Sequence, residues 1–141
     1  MPLLQKSVEI LGKPLPKVIS PKAHAIADYS TAAMFVAGAA LFWRKSKRAA
    51  IAALVCGIAE AGFAALTDYP GGIRRAISFP LHRKIDFGLS SMTAAMPEFL
   101  AFEDEKENAF FRMQSVLITG VTALTNFEEQ RIVGERERRA A

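Results

Sequence analysis

The sequence predicts an all-α membrane protein: a four-transmembrane-helix bundle made of two tandem helical hairpins, related by a pseudo-two-fold axis along the membrane normal. Three observations predict it. The 141 residues are one domain's worth of chain, 51% hydrophobic, rich in Ala, Ile, Leu and Phe without β-branched alternation. The apolar residues fall into four segments of bilayer-spanning length. And the stretch His24-Ala25-Ile26-Ala27-Asp28-Tyr29 returns 58 positions later as His82-Arg83-Lys84-Ile85-Asp86-Phe87.

That offset carries Thr67-Asp68-Tyr69 onto Thr125-Asn126-Phe127, Leu66 onto Leu124 and Met34 onto Met92 without a gap. Apolar matches mean little in an Ala-rich chain, so the rare polar types carry the case. Both histidines of the protein are in register, each with an aspartate four residues on. Two copies of one helical hairpin explain this, repeat 1 at about 20–72 and repeat 2 at about 78–130.

Along the chain, residues 1–22 read as an N-terminal arm. It lacks the continuous apolar core of a signal peptide. Pro14, Pro16 and Pro21 break any helix beyond the first dozen residues, and Lys6, Lys13, Lys17 and Lys22 alternate with apolar side chains, as in an arm lying in the membrane interface. The four-helix membrane domain, 23–128, follows. Its segments run from about Ala23 to Trp43, Ala49 to Asp68, His82 to Phe102 and Ala109 to Phe127. Each would span roughly 30 Å as helix, the depth of a bilayer's hydrocarbon core. Phe42, Trp43, Tyr69, Phe79, Phe99, Phe102, Phe110, Phe111 and Phe127 sit near segment ends, where an interfacial belt belongs. Small residues such as Gly38, Gly57, Gly62, Gly88 and Gly120 dot the interiors and let helices approach. The competing reading is a soluble four-helix bundle, since Ala inserts weakly into lipid and the last two segments carry Ser90, Ser91, Thr93, Glu98, Arg112 and Gln114. Against it, the segments lack the charged stripe of a soluble amphipathic helix.

Basic residues set the orientation. The end holding the N-terminus, the 68–82 loop and the C-terminus carries Lys6, Lys13, Lys17, Lys22, Arg74, Arg75, Arg83, Lys84, Arg131, Arg136, Arg138 and Arg139. The opposite end pairs the basic loop Arg44 to Arg48 with the acidic loop Glu103 to Glu107. The balance places both termini in the cytoplasm, across an inner or plasma membrane. Residues 129–141 form a charged tail, either a solvated helix end or disordered. The net charge of +4 is modest and its basic residues are not interleaved with exposed aromatics, which argues against nucleic acid. The single cysteine, Cys56, rules out an internal disulfide and a Cys-based metal cage, and reads as a small buried hydrophobe.

A hairpin goes out and comes back, so His24, Asp28, Asp68, His82, Asp86 and Asn126 all land at the cytoplasmic end. His and Asp at i, i+4 share a helix face. Three carboxylates in a region of falling dielectric demand a cation, protons or basic partners. Two His, three Asp and an amide oxygen make a nitrogen and oxygen ligand set for Zn²⁺, Fe²⁺ or Mn²⁺. The alternative is a plain lock, in which the His and Asp bond each other while Arg74, Arg75, Arg83 and Lys84 neutralise the aspartates. A bis-His haem between His24 and His82 is a weaker competitor, because its propionates would face the same aspartates. Glu60 lies mid-membrane, opposite Ile118 in the repeat, either as a functional carboxylate or as a protonated one bonded to a backbone carbonyl, Ser90, Ser91 or Thr119. Glu98 and Arg112 read as an ion pair between segments three and four.

The motif H-x-x-x-D-Y, a hairpin ending in Leu66-Thr67-Asp68-Tyr69 before glycine, and a second H-x-x-x-D resemble the small bacterial four-helix membrane proteins with SPW-type repeats, over residues 20 to 128. The Ser-Pro-Trp position would be Met96-Pro97-Glu98, where only the proline agrees, and Trp43 stands in the first half. The resemblance implies the membrane topology and the two-repeat plan, and no particular activity.

Three functional expectations follow. A metal at the cluster would either lock the hairpins or activate water in a metal-dependent membrane hydrolase, with Asp68 the candidate base. A non-catalytic scaffold would use the cluster only as a hydrogen-bond and salt-bridge lock. A proton or cation conduit through Glu60 would require a homo-oligomer, because four helices are few for a pore.

Overall fold

A computed structural model describes residues 14–141, with side chains for all of these except 129–134. The described chain holds five α-helices: α1 (Pro21–Phe42), α2 (Lys47–Leu66), α3 (Phe79–Phe99), α4 (Asn108–Leu124) and α5 (Phe127–Ala140). Lys6, Lys13 and most of the N-terminal arm lie outside the described residues, as does the Arg131 side chain.

Serine starts the first three helices. Ser20, Ser46 and Ser78 each accept from the backbone N–H three residues on, at 3.2, 3.2 and 3.4 Å. This satisfies one of the donors that a helix start leaves open. Pro21 does not break the helix but opens it, and Pro80 sits in the first turn of α3, one position further in; a proline in the first turn gives up no bond the helix needs. The third helix therefore begins three residues before His82. The fourth segment stops at Leu124, and Phe127 starts a separate, charge-rich helix, α5, rather than closing α4.

α1 packs along α2 and α3 along α4, as two hairpins that meet through α2 on α3 and α1 on α4. The buried face of α1 reads His24, Asp28, Thr31, Phe35, Gly38, and that of α3 reads His82, Asp86, Ser90, Thr93, Pro97, the spacing of one helical stripe. Two apolar cores flank the polar residues on those stripes. Ala25, Ala64, Tyr69, Phe79 and Phe127 close the end near the helix starts. Phe35, Ala39, Ala49, Ala52, Ala53, Cys56, Phe102, Phe111 and Ile118 fill the other. Gly57 allows the close approach of α1 and α2: a Cβ there would lie 3.0 Å from the Phe35 Cβ.

The ends of the hairpins are tied crosswise, and the ties recur at the 58-residue offset. Ile19 donates to Leu124 O (3.0 Å) and accepts from Asn126 N (2.9 Å). Ile77 donates to Leu66 O (2.9 Å) and accepts from Asp68 N (2.8 Å). The residue leading into each hairpin thus pairs with the residue ending the other. Lys17 adds a bond to Ala123 O, so the described part of the N-terminal arm lies against the end of α4.

α1, with 22 residues, and α2, with 20, are long and apolar enough to cross a bilayer. α3 carries Arg83, Lys84, Asp86 and Glu98, and α4 has 17 residues, so neither meets the same measure. At the loop end away from the cluster, Arg112 pairs with Glu98 at 3.2 Å across α4 and α3, and Arg48 at the start of α2 pairs with Glu105 in the α3–α4 connection at 2.9 Å.

Candidate metal centre

His24 and Asp28 come from α1 and His82 and Asp86 from α3, each pair one helical turn apart. All four side chains are buried, at 5% exposure or less. His24 Nε2 lies 3.4 Å from Asp28 Oδ1 and 3.1 Å from Asp86 Oδ2. His82 Nε2 lies 3.1 Å from Asp28 Oδ2 and 3.0 Å from Asp86 Oδ1. Each carboxylate therefore faces both imidazoles, and each imidazole faces both carboxylates. One potential ligand atom from each residue lies within 4.8 Å of the other three.

The outer face of each imidazole is fixed from the opposite hairpin. His82 Nδ1 meets Thr67 Oγ1 at 2.7 Å, and His24 Nδ1 meets Thr125 Oγ1 at 2.7 Å. Thr67 Oγ1 donates its one proton to Phe63 O (2.6 Å), and Thr125 Oγ1 donates to Val121 O (2.6 Å). A carbonyl can only accept, so each threonine oxygen is left to accept from Nδ1–H. Both Nδ1 atoms therefore carry protons, and both Nε2 atoms are turned over to the carboxylates. His24 Nε2, His82 Nε2 and Asp86 Oδ1 are buried without a hydrogen-bond partner, although each Nε2 stands within ion-pair distance of both carboxylates.

The remaining carboxylate capacity is partly met by hydroxyls. Tyr69 Oη donates to Asp28 Oδ2 at 2.8 Å and Thr122 Oγ1 to Asp86 Oδ2 at 3.0 Å. Burial first, and the Asp28 charge next, raise the Tyr69 hydroxyl above its ordinary range, which keeps it a donor. Phe79 and Phe127 pack edge-on against His24, both at 5.4 Å between centroids, and Tyr69 packs on His82 at 5.4 Å. These rings seal the centre on the loop side.

Asp68, expected among the ligands, is not in the group. α2 and α4 stop at Leu66 and Leu124, and Thr67 and Thr125 are extended, with ψ of 140° and 139°. In extended chain neighbouring side chains point to opposite sides. The threonines turn inward, and Asp68 turns outward, 44% exposed and 3.3 Å from Arg75. Asn126 takes the Glu128 N–H on its Oδ1 at 3.2 Å. The centre therefore holds two carboxylates rather than three, and histidines face them instead of Arg74, Arg83 or Lys84. The threonines could have been singled out: Thr67 and Thr125 are identical at the 58-residue offset, whereas Asp68 and Asn126 are not.

A haem does not fit between the histidines. Their ring centroids stand 5.3 Å apart, and two carboxylates occupy the gap where a porphyrin plane would lie. Glu60, 4% exposed on α2, is near enough to Asp28 and Asp86 to interact with both charges. The hydroxyls expected to bond it are engaged elsewhere. Ser90 bonds Ser115 and Thr119, at 3.0 and 2.6 Å, and Ser91 bonds Phe87 O at 2.8 Å.

No protein-family model, curated protein or solved structure matches the chain. Its function is read from this geometry alone.

Proposed function

We propose that the protein is an integral membrane bundle whose His24, Asp28, His82 and Asp86 bind one divalent metal ion, Zn²⁺, Fe²⁺ or Mn²⁺, as a clamp between its two hairpins. The observation that carries this reading is the pair of buried Nε2 atoms. Their opposite nitrogens are committed to threonine, and they face carboxylate oxygens without a hydrogen bond to either. With both imidazoles neutral, four acceptors would meet at one buried point, and a divalent cation would offset the two carboxylates. An ion about 2.0–2.4 Å from each ligand atom can touch all four within the observed spread. A second-sphere acceptor on the far ring nitrogen is the usual support for a ligating histidine.

The closed surroundings favour a clamp over hydrolysis. All four residues are buried, at 4% exposure or less, and Asp68, the candidate base, lies at the surface with Arg75.

The membrane part of the proposal has four spanning helices, cytoplasmic termini and kinship to the SPW-repeat proteins; of these, the bilayer crossing draws support from the outer surface. Val36 and Leu41 on α1, Ile51 and Ile58 on α2, Phe87 and Phe99 on α3, and Val116 and Leu117 on α4 are all exposed. Large apolar side chains facing outward on every helix of the bundle fit a lipid solvent. The duplicated crosswise ties support descent of the two hairpins from one.

Elemental analysis of the full chain, purified without chelators from cells grown with all three metals, tests the clamp. About one ion per chain is expected, falling to background in His24→Ala, His82→Ala and Asp86→Asn. Background metal in the unsubstituted protein sinks it. The four short nitrogen to oxygen contacts favour a second reading, a lock of two imidazolium and two carboxylate groups. That lock predicts a metal-free protein that Asp86→Asn still destabilises. Resistance of the chain to alkaline extraction from membranes tests the bilayer part separately.

A further inference from the structure

The two halves of the chain carry the same cavity twice, and the second copy presents two adjacent cations where the first presents one. A cavity of about 470 Å³ is lined by Lys22, Ala25, Ile26, Tyr29 and Pro70 among others. A second, of about 430 Å³, is lined by Pro80, Arg83, Lys84, Phe87, Phe127 and Glu128. Shifted by 58 residues, Lys22, Ala25, Ile26, Tyr29 and Pro70 become Pro80, Arg83, Lys84, Phe87 and Glu128. Where the first cavity presents a methyl and a butyl side chain, the second presents two cations.

We propose that the Arg83–Lys84 cavity binds a phosphate-ester anion, supplied at this depth by the headgroup of an anionic phospholipid. Neither cation forms an ion pair among the described residues. The Arg83 guanidinium rests 5.7 Å above the Phe127 ring, which pre-positions it without consuming its donors. A guanidinium fork and a neighbouring ammonium are the side chains that bind phosphate oxygens. Phe87 and Pro80 supply the apolar wall that a glycerol backbone and first acyl carbons need. Both cations lie in the first turns of α3, at the end assigned to the cytoplasmic leaflet, so the lipid source rests on the membrane reading given above. Glu128 lines the same cavity and opposes an anion, so removing its charge should tighten binding. The first cavity is the internal control. It has one cation, and its Tyr29 hydroxyl is taken by Gly71 O at 2.8 Å.

The test titrates the full chain, in neutral detergent, with a short-chain phosphatidylglycerol, with glycerol 3-phosphate and with a short-chain diacylglycerol lacking phosphate. The phosphorylated ligand is expected to bind about tenfold or more weakly to the Arg83→Gln/Lys84→Gln double variant. It should bind about threefold more tightly to Glu128→Gln, and unchanged to Lys22→Gln. Binding of the lipid alone identifies a headgroup, and binding of both phosphates identifies a soluble ester; either supports the site. Equal binding by the double variant and the parent, or an equal loss in Lys22→Gln, overturns it. If the chain stays in solution without detergent, the membrane reading fails, and the glycerol 3-phosphate titration alone decides the cavity.

Discussion

Thr67 and Thr125 make the centre directional. Each spends its proton on a carbonyl one turn back and offers its oxygen to an imidazole of the other hairpin. Replacing either with valine keeps the shape and leaves Nδ1–H unpaired. Thr67→Val and Thr125→Val should each lower metal affinity by about 10–100-fold while leaving helix content unchanged, as read by competition with a chelator of known affinity. A role confined to packing would leave the affinity where it was. Tyr69 and Thr122, which serve Asp28 and Asp86, have repeat partners, Phe127 and Ala64, that lack a hydroxyl. Tyr69→Phe removes a hydrogen bond to a carboxylate and should cost about 1.5–3 kcal/mol in denaturant unfolding.

Helix ends, more than helix middles, place the functional groups. α3 closes with Phe102 N on Pro97 O at 2.8 Å and Ala101 N on Glu98 O at 3.3 Å, a Schellman pattern. Its left-handed residue is Ala101, at φ 53°, where a Cβ is unfavourable. Ala101→Gly is expected to stabilise the fold by about 1 kcal/mol, seen as a higher thermal midpoint with metal content unchanged. The turn after α2 is tight in the opposite sense. A Cβ at Gly72 would lie 1.8 Å from Thr67 O, so Gly72→Ala must shift the backbone that carries the His82 acceptor. A loss of about 1–3 kcal/mol is expected, together with weaker metal binding, and a variant that keeps parental affinity would uncouple this turn from the centre.

For the whole molecule, the metal would connect two hairpins that otherwise meet through narrower contacts than either makes internally. An ion that binds only the folded bundle stabilises it by mass action, about 2.7 kcal/mol at a free concentration one hundred times the dissociation constant. Chelation should therefore lower the thermal midpoint of the parent and leave that of His24→Ala unmoved. A midpoint indifferent to chelator would leave the ion-paired lock as the tie.

The pairing of His24 with Asp28 and of His82 with Asp86 on one face, and their meeting at one end, were legible in the sequence. Helical periodicity and a gapless offset require only that both stretches be helical. The all-helical class and the Glu98–Arg112 pair followed from the same patterning. Which neighbour of the return turn faces inward was not legible. Thr67 and Asp68 are adjacent, and the choice between them depends on the residue at which helix gives way to extended chain. That point is fixed by crosswise bonds to Ile77 and Ile19 from far along the chain. The sequence by itself determined the composition of the centre's first four members, because local periodicity is a property of one helix. Only the tertiary structure decided their supports, their closure from solvent and the exclusion of Asp68, because those depend on how two hairpins terminate against each other.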